Sequence, residues 1–302
     1  VTMSKECKEV FCNSLSQCKQ LERLSIKNVN QHENVTMGKD NDRLLFESLS
    51  KCEQLIGLRI ENMDLDDALL SFSSCTLHHF ELDNVTPSFA SKMMLFVILS
   101  QFHSLRSLSL KNLDLSDGLH ELYNMKSMTD ITIENVKMNT DCKVLMCTSL
   151  SQCTQLGNLS LKDLDLGNGL LDLKNLHILT SLTIDNVTMC KDGYMMLCNY
   201  ISMCKYMTLS LQNLDLGDAI LSLDKLKELE LVNITMSLEC VDHIKSSEQY
   251  LLPSCLNSFK CLPLPETTLS TEMANSCDKC VVNYTKERVF DEDDYYFDDD
   301  DD

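Results

Sequence analysis

The stretch LRSLSLKNL at residues 105–113 decides the fold of this chain. Leucine alternates with polar residues in it, which is the pattern of a β-strand with one buried face. Eight further copies of the pattern LxxLxLxN, some degenerate, begin at residues 21, 55, 77, 128, 156, 179, 206 and 226. Repetition in phase indicates a stack of similar units, each of which buries its apolar face against its neighbours.

A longer period contains these strands. Variants of one phrase, LSQCTQL at 150–156, recur so that Cys52, Phe102, Cys153 and Cys204 are separated by 50, 51 and 51 residues. Each period holds a long unit and a short unit. Residues 140–153 of a long unit have apolar and small residues at helical spacing, whereas the short connectors 114–125 and 165–176 contain glycine and are too short for much helix. The sequence therefore predicts a parallel α/β sheet with helices outside on alternate units.

This pattern resembles the leucine-rich repeat proteins of the ribonuclease-inhibitor type, which also form the C-terminal arrays of NOD-like receptors. The resemblance covers roughly residues 1–245 and implies a curved α/β solenoid, a horseshoe whose concave sheet binds a protein. The family usually has Asn or Cys at the ninth motif position, but here asparagine occupies the eighth. The resemblance implies that these amides turn inward and bridge backbone groups. They are Asn28, Asn62, Asn84, Asn112, Asn135, Asn186, Asn213 and Asn233.

Two irregularities lie near the N-terminus. The opening residues VTMSKECKEVFCNSLSQC match 136–153, so the chain begins in mid-repeat and we expect the natural protein to extend upstream. Asn28 and Asn34 are six residues apart where Asn112 and Asn135 are 23 apart, so a 17-residue short unit is absent from the first period. We expect a repeat array over 1–252, closed by a helix in 237–252, and a mostly disordered tail over 253–302 with an acidic end.

The composition favours an interaction protein. Acidic residues number 46 and basic residues 26, and the net charge of −20 opposes the phosphate contacts of nucleic-acid binding. Nine of the acids lie in the tail DEDDYYFDDDDD, residues 291–302. The longest apolar run, MMLFVIL at 93–99, falls far short of the roughly 20 residues of a membrane span.

The 16 cysteines do not predict a disulfide framework. Cys18, Cys52, Cys153 and Cys204 hold one equivalent position, and the last two are two strand spacings apart, about 10 Å, which is too far for a disulfide. We interpret all four as reduced, buried thiols in a reducing compartment. Six N-x-S/T sequons favour secretion instead, at Asn34, Asn84, Asn158, Asn186, Asn233 and Asn283. Three of them, Asn84, Asn186 and Asn233, arise from the repeat itself, so a cytoplasmic location is preferred.

The sequence contains little that indicates catalysis or metal binding. No phosphate-loop, HExxH, GxSxG or dinucleotide fingerprint occurs, so an enzyme and a cofactor are not predicted. Cys255, Cys261, Cys277 and Cys280 could hold Zn²⁺, but only the last two form a close pair. Free thiols in a loose tail are preferred to a metal site or a local disulfide.

The seventh motif position carries a row of charges on the concave face. Lys111, Glu134, Lys162 and Asp185 alternate in sign from strand to strand, which is ordinarily support for the sheet itself. The alternation breaks at Glu61, which adjoins Asp83, with Glu81 and its expected neighbour Arg59 close by. We expect this acidic end to contact a protein partner, one that carries basic residues. The predicted partner-binding residues are Arg59, Glu61, Glu81, Asp83, Lys111, Glu134, Lys162 and Asp185.

The predicted function is non-catalytic protein recognition by a cytosolic ligand-sensing or scaffold array of the NOD-like-receptor type, acting in innate immunity. Two alternatives stay open. One is an extracellular leucine-rich repeat recognition protein, for which the sequons and the acidic Tyr295–Tyr296 pair would count. The other is an acidic-tailed repeat protein that masks basic partners. No membrane span is predicted in any of the three.

Overall fold

The computed structural model describes residues 5–27, 39–73, 76–116, 126–203, 208–217, 228–237 and 279–286. In chain order its elements are α1 (Lys5–Leu15), β1 (Arg23–Lys27), α2 (Lys39–Leu49), β2 (Gly57–Glu61), β3 (Asp64–Asp66), a 3-10 helix (Ala68–Ser71), β4 (His79–Asp83), β5 (Thr86–Pro87), α3 (Phe89–Ser100), β6 (Ser107–Asp114), β7 (Asp130–Lys137), α4 (Thr140–Leu150), β8 (Asn158–Gly167), β9 (Ser181–Met189), α5 (Lys191–Met203), β10 (Thr208–Gln212), β11 (Asp215–Gly217), β12 (Glu228–Ser237) and β13 (Lys279–Lys286).

One parallel sheet runs the length of the array. Its strands pair in the order β1-β2-β4-β6-β7-β8-β9-β10-β12, each parallel to the next. Equivalent motif residues face each other, as where Leu108 pairs with Ile131 and Ile131 with Leu159. Such neighbours bury one another only in this register, and the predicted parallel leucine-rich repeat fold is confirmed.

Helices cover the sheet at alternate units. α3, α4 and α5 each precede a long-unit strand, and the short connector after β8 runs from 168 to 180 without helix, as predicted for 165–176. Most of the other predicted connector, 117–125 of 114–125, lies outside the described residues. The short unit before β4 contains one 3-10 turn instead of an α-helix.

The core is a set of stacked apolar rows between sheet and helices. The fourth and sixth motif residues of β2 to β10 are all buried, from Leu58 and Ile60 to Leu209 and Leu211. Four phenylalanines add ring contacts near the first helices, with centroids 5.3–6.4 Å apart, and they are Phe46, Phe72, Phe80 and Phe102. A fully buried Leu or Phe contributes about 1.5–3 kcal/mol, so these rows supply most of the driving force.

The asparagine at the eighth position has a backbone role that we did not predict. Its φ is positive in each described motif copy from β2 to β10, from +49° to +57°, and Asp163 takes the same conformation in β8. Asparagine and aspartate tolerate the left-handed region better than other side chains. In this conformation the residue shifts the in–out alternation of its strand by one position, so positions seven and eight both face solvent while position nine returns to the core, as the burial patterns of β6 and β7 show.

The inward, backbone-bridging role expected for these amides is therefore wrong. Asn84, Asn112, Asn135 and Asn186 are exposed, and each donates to a polar side chain of the preceding unit, namely Asn62, Asp83, Asn112 and Asp163. The physical reason is the left-handed conformation, which turns the eighth residue outward and leaves the ninth, such as Leu113, to fill the core.

The first join of the array differs from the others. β1 pairs directly with β2, and α1 packs against α2, because the 17-residue short unit is absent here. No described unit covers the outer side of β1, and Leu24 and Ile26 are only half-buried where Leu58 and Ile60 are buried.

Beyond β12, the sheet gains an antiparallel strand. β13 pairs with β12 from Leu229–Lys286 to Ser237–Lys279 and lies within the segment 253–302, for which we expected mostly disorder. The closing helix expected over 237–252 and the acidic end of the tail lie outside the described residues, apart from Ser237 at the end of β12.

Candidate recognition face

The concave face, by which we mean the sheet surface opposite the core, presents three parallel rows of side chains. The charged row consists of the seventh motif residues, and strand register places them side by side in the order Lys27, Glu61, Asp83, Lys111, Glu134, Lys162, Asp185, Gln212 and Val232. The predicted alternation of sign from Asp83 to Asp185 is thus confirmed as an arrangement of neighbouring positions.

Four of the predicted site residues meet at one guanidinium group, and a fifth, Lys111, joins them through Glu81. Arg59 Nη2 lies 3.3 Å from Glu61 Oε2 and 3.9 Å from Asp83 Oδ2, and its Nη1 lies 3.5 Å from Glu81 Oε2. Lys111 Nζ donates to Glu81 Oε1 at 3.1 Å. Lys27 also bonds Glu61 from the first strand. We call these six residues, from Lys27 to Lys111, the Arg59 cluster.

The hydrogen bond from Lys27 is the main reason why the pKa of Glu61 lies below its usual value, and partial burial of the carboxylate opposes this shift. The positive charges of Lys27 and Arg59 lower the pKa further. Glu61 is thus held ionised by neighbours on two strands. Its side chain is only 13% exposed, so these bonds are partly shielded from water.

The interpretation of Glu61, Glu81 and Asp83 as an uncompensated acidic end is wrong, because three cations balance the three carboxylates. The absent short unit explains the arrangement. Other long units carry lysine at the seventh motif position. Because the short unit is absent, such a lysine in β2 would lie beside Lys27, and β2 has Glu61 there instead. Arg59, where other long units have serine, then bridges the acids that this exchange brings together.

The rest of the charged row is open. Within the described part of the chain, neither Glu134 nor Lys162 has an oppositely charged group within 4.0 Å, although register makes them neighbours. Lys111 turns away from this stretch toward Glu81. Asp185 accepts a hydrogen bond from Asn213 at 2.7 Å. Since Glu134, Lys162 and Asp185 are all partly exposed, their charges can reach an incoming molecule.

Small polar residues form the two other rows over β6 to β10. The fifth motif residues form the hydroxyl row, which consists of Ser109, Thr132, Ser160, Thr183 and Ser210. The third-position row consists of Ser107, Asp130, Asn158, Ser181 and Thr208. The Ser109 hydroxyl is buried and has no hydrogen-bond partner among the residues that the structure describes. Because the side chains of these two rows are small, the charges of Glu134, Lys162 and Asp185 lie beside a shallow polar groove.

An amide ladder borders the charged row on its other side. Asn84 donates to Asn62 at 2.8 Å, Asn135 to Asn112 at 2.9 Å and Asn186 to Asp163 at 2.6 Å. Asn112 instead reaches the carboxylate of Asp83 at 2.7 Å. The recurrence of Asn at the eighth position was the available signal for this ladder, because Asn is the common non-glycine residue of the left-handed region.

The cysteine predictions are only partly confirmed. Cys52 and Cys153 are buried free thiols, and burial raises the pKa of Cys153 to about 11. The prediction that Cys18 is buried is wrong, since it is exposed at the outer unit. Cys204 lies outside the described residues. So do Cys255, Cys261 and Cys277, while Cys280 falls in β13 opposite Met236.

Other chemistry is sparse in the described ranges. They contain no cluster of three or more His, Cys, Asp or Glu side chains placed to hold a metal ion. No described helix combines the length and the apolar character needed to cross a bilayer.

No protein-family model matches the chain, and no curated protein matches it. Among solved structures, an internalin (inlF) from Listeria monocytogenes str. 4b F2365 is similar, at 19% identity and a TM-score of 0.43, over 77% of this chain and 76% of that chain. At these values the similarity bears on neither partner nor location. Strand order and register establish the fold independently of it.

Proposed function

We propose that this chain is a non-catalytic recognition module that binds a protein partner through its concave face. The observation that carries the proposal is the open stretch Glu134–Lys162–Asp185 beside the hydroxyl row, in which neither Glu134 nor Lys162 pairs with an opposite charge among the described residues. An extended solenoid face of this kind offers many shallow contacts over a long surface. Alternating charges select a partner by complementary pattern more than they add affinity.

The predicted site residues fall into two parts of this surface. One part is the self-neutralised Arg59 cluster, which contains Arg59, Glu61, Glu81, Asp83 and Lys111. Because the charges of this cluster balance, it favours a basic partner less strongly than the sequence alone indicated. Glu134, Lys162 and Asp185 form the part that discriminates. A fitting partner carries both signs of charge, with a base opposite Glu134 and an acid opposite Lys162.

For the cellular setting, we propose a cytoplasmic array of the NOD-like-receptor type, serving ligand sensing or scaffolding in innate immunity. The sequons at Asn84 and Asn186 are weak evidence for secretion, because the repeat itself places asparagine at this left-handed position. The extracellular recognition protein is the second candidate, and the exposed sequon at Asn158 is the observation that favours it.

The test uses variants of the full chain that keep the fold and change the open stretch. Ser160→Arg places a large side chain on the hydroxyl row, and Lys162→Glu reverses one charge. Lys174→Glu is the matched control, because Lys174 is an exposed lysine of the connector whose bond is local, to Asp172 at 2.7 Å. Proximity labelling in cells followed by direct binding measurements compares the variants.

We expect the partners of the wild type to be lost with Ser160→Arg, weakened at least tenfold with Lys162→Glu, and kept with Lys174→Glu. Circular dichroism and thermal unfolding check that all three variants remain folded. Partners that bind Ser160→Arg as well as they bind the wild type would place the binding surface elsewhere and overturn the proposal.

A further inference from the structure

The first join brings two equivalent cysteines into neighbouring units. Cys18 precedes β1 by the same number of residues as Cys52 precedes β2, and the strands begin in register, with Arg23 opposite Gly57. One strand spacing, about 4.8 Å, therefore separates the two positions, within the range of 4.4–6.8 Å that a disulfide requires between Cα atoms. At Cys153 the equivalent place in the next unit is Leu176, so the long-unit thiols there are two spacings apart.

Both thiols touch the same turn of the chain. The Cys18 thiol donates to the carbonyl of Ser14 at 3.3 Å, and the Cys52 thiol donates to the carbonyl of Leu15 at 3.4 Å. The same Leu15 carbonyl accepts from the Cys18 backbone amide at 2.9 Å. Two sulfurs that bond consecutive carbonyls are close enough for small side-chain rotations to bring them together.

The two thiols differ in access. Cys18 is exposed, whereas Cys52 is 2% exposed beneath the turn that Cys18 occupies. Burial, and next the nearby Cys18, raise the pKa of Cys52. A reagent in solution therefore meets Cys18 first, and Cys52 becomes reactive only toward a sulfur already held beside it.

We propose that Cys18 and Cys52 form a thiol-modification site at the first join, where Cys18 is attacked by low-molecular-weight disulfides and Cys52 resolves the adduct. In the first step the Cys18 thiolate attacks the external disulfide, forms a mixed disulfide and releases one small thiol. In the second step the Cys52 thiolate attacks Cys18 Sγ, forms the internal disulfide and releases the second small thiol. Two protein thiols are oxidised and one external disulfide is reduced to two thiols.

The resulting bond would join the turns that follow α1 and α2 and so fix the most exposed unit of the described array to its neighbour. It would close a covalent loop of the chain from Cys18 to Cys52. We expect the oxidised chain to resist proteolysis within this loop and at α1 more strongly than the reduced chain does.

The test exposes the folded full chain to oxidised glutathione and maps disulfides by peptide mass spectrometry. In the wild type we expect a Cys18–Cys52 bond and little stable adduct. Cys52→Ser should trap glutathione on Cys18, at least tenfold above the wild type. Cys18→Ser should leave Cys52 unmodified. Cys153, equally buried and without a counterpart in its neighbouring unit, serves as the internal control.

Three outcomes would overturn the proposal. Glutathione could persist on Cys18 in the wild type at the level seen with Cys52→Ser, which would mean that Cys52 does not resolve it. Cys18 could pair with another thiol, such as Cys12, in place of Cys52. Cys153 could be modified as fast as Cys18, which would mean that the reaction reports unfolding. A circular dichroism spectrum taken before oxidation confirms that both serine variants are folded.

Discussion

The first join of this array, β1 to β2, and a later one, such as β7 to β8, are built from nearly the same motif and differ in the kinds of unit that meet there. At the later join a long unit meets a short unit, and Glu134 and Lys162 are neighbours that form no ion pair with each other. At the first join two long units meet, and Lys27 and Arg59 both bind Glu61. Removing one unit thus changes the charges, the burial and the thiol chemistry of its neighbours together.

Helix packing explains why the later joins alternate. Packed helices need about 8–10 Å between their axes, whereas neighbouring strands are about 4.8 Å apart. A helix-free unit between two helical units supplies two strand spacings, about 10 Å, and the two layers match. At the first join α1 and α2 share a single spacing, so the helices must splay and we expect the sheet to bend most sharply there.

The largest difference between the two regions should appear in the core. Leu159 is buried between two described units, and Leu24, its equivalent in β1, is half-buried. Leu159→Ala should lower the free energy of unfolding by about 2–5 kcal/mol because it leaves a cavity that cannot collapse. Leu24→Ala should cost about 1 kcal/mol, since less apolar surface is lost there. Urea unfolding followed by circular dichroism measures both, and equal losses would mean that β1 is covered in solution.

Close packing of a short connector under a helix is specific to the later joins. A substitution at Gly169 tests this packing. A Cβ at Gly169 would lie 2.7 Å from Cys147 Sγ and 3.0 Å from the Lys143 carbonyl. Gly169→Ala should therefore destabilise the array by about 1–3 kcal/mol through overpacking. Gly157→Ala is the matched control, because its Cβ would meet the Thr129 carbonyl at an ordinary 3.6 Å. Similar melting temperatures for the two variants would contradict the tight fit.

The left-handed residue at the eighth motif position gives a smaller effect that should be the same along the array. Asn112 has φ +53° and bonds both Asp83 and Asn135. Asn112→Ala loses these bonds and forces an L side chain with a Cβ into the left-handed region, which costs about 1–2 kcal/mol. Asn112→Gly loses only the bonds and should cost less than about 1 kcal/mol. A glycine variant as unstable as the alanine variant in urea would assign the effect to the ladder rather than to the backbone.

Much of this fold could be predicted from the sequence because each repeat carries the same pattern of apolar residues. Period-two leucines predicted the strands, and their phase predicted the parallel order. What failed depended on local context. The positive φ at Asn112 reverses the expected side of the eighth residue, which alternation alone cannot show. Cys18 was assigned the burial of Cys52, although burial needs a covering neighbour.

The charged row shows the same limit. Sequence spacing located Glu61, Glu81 and Asp83 correctly as neighbours and named Arg59 beside them. It could not show that one guanidinium reaches all three carboxylates, or that Lys27 lies close enough to bond Glu61, because side-chain reach is set by rotamer and local sheet geometry. The Glu61 exchange became explicable only when β1 and β2 were seen to pair directly.

The smallest expected effect is electrostatic and belongs to the first join alone. Lys27→Gln removes the main cause of the lowered pKa of Glu61. A carboxylate whose pKa is lowered on folding stabilises the fold above its unfolded pKa, and this stabilisation is lost as the pH falls through its folded pKa. The difference in unfolding free energy between wild type and Lys27→Gln should thus be present at pH 7 and fade below about pH 5. Because Lys27 is 48% exposed, we expect less than about 1 kcal/mol, and less still in 1 M salt. Lys19→Gln changes an exposed lysine of the same unit and should leave the pH profile unaltered. If both variants shift the pH profile equally, the effect comes from the overall charge of the first unit and not from the specific bond between Lys27 and Glu61.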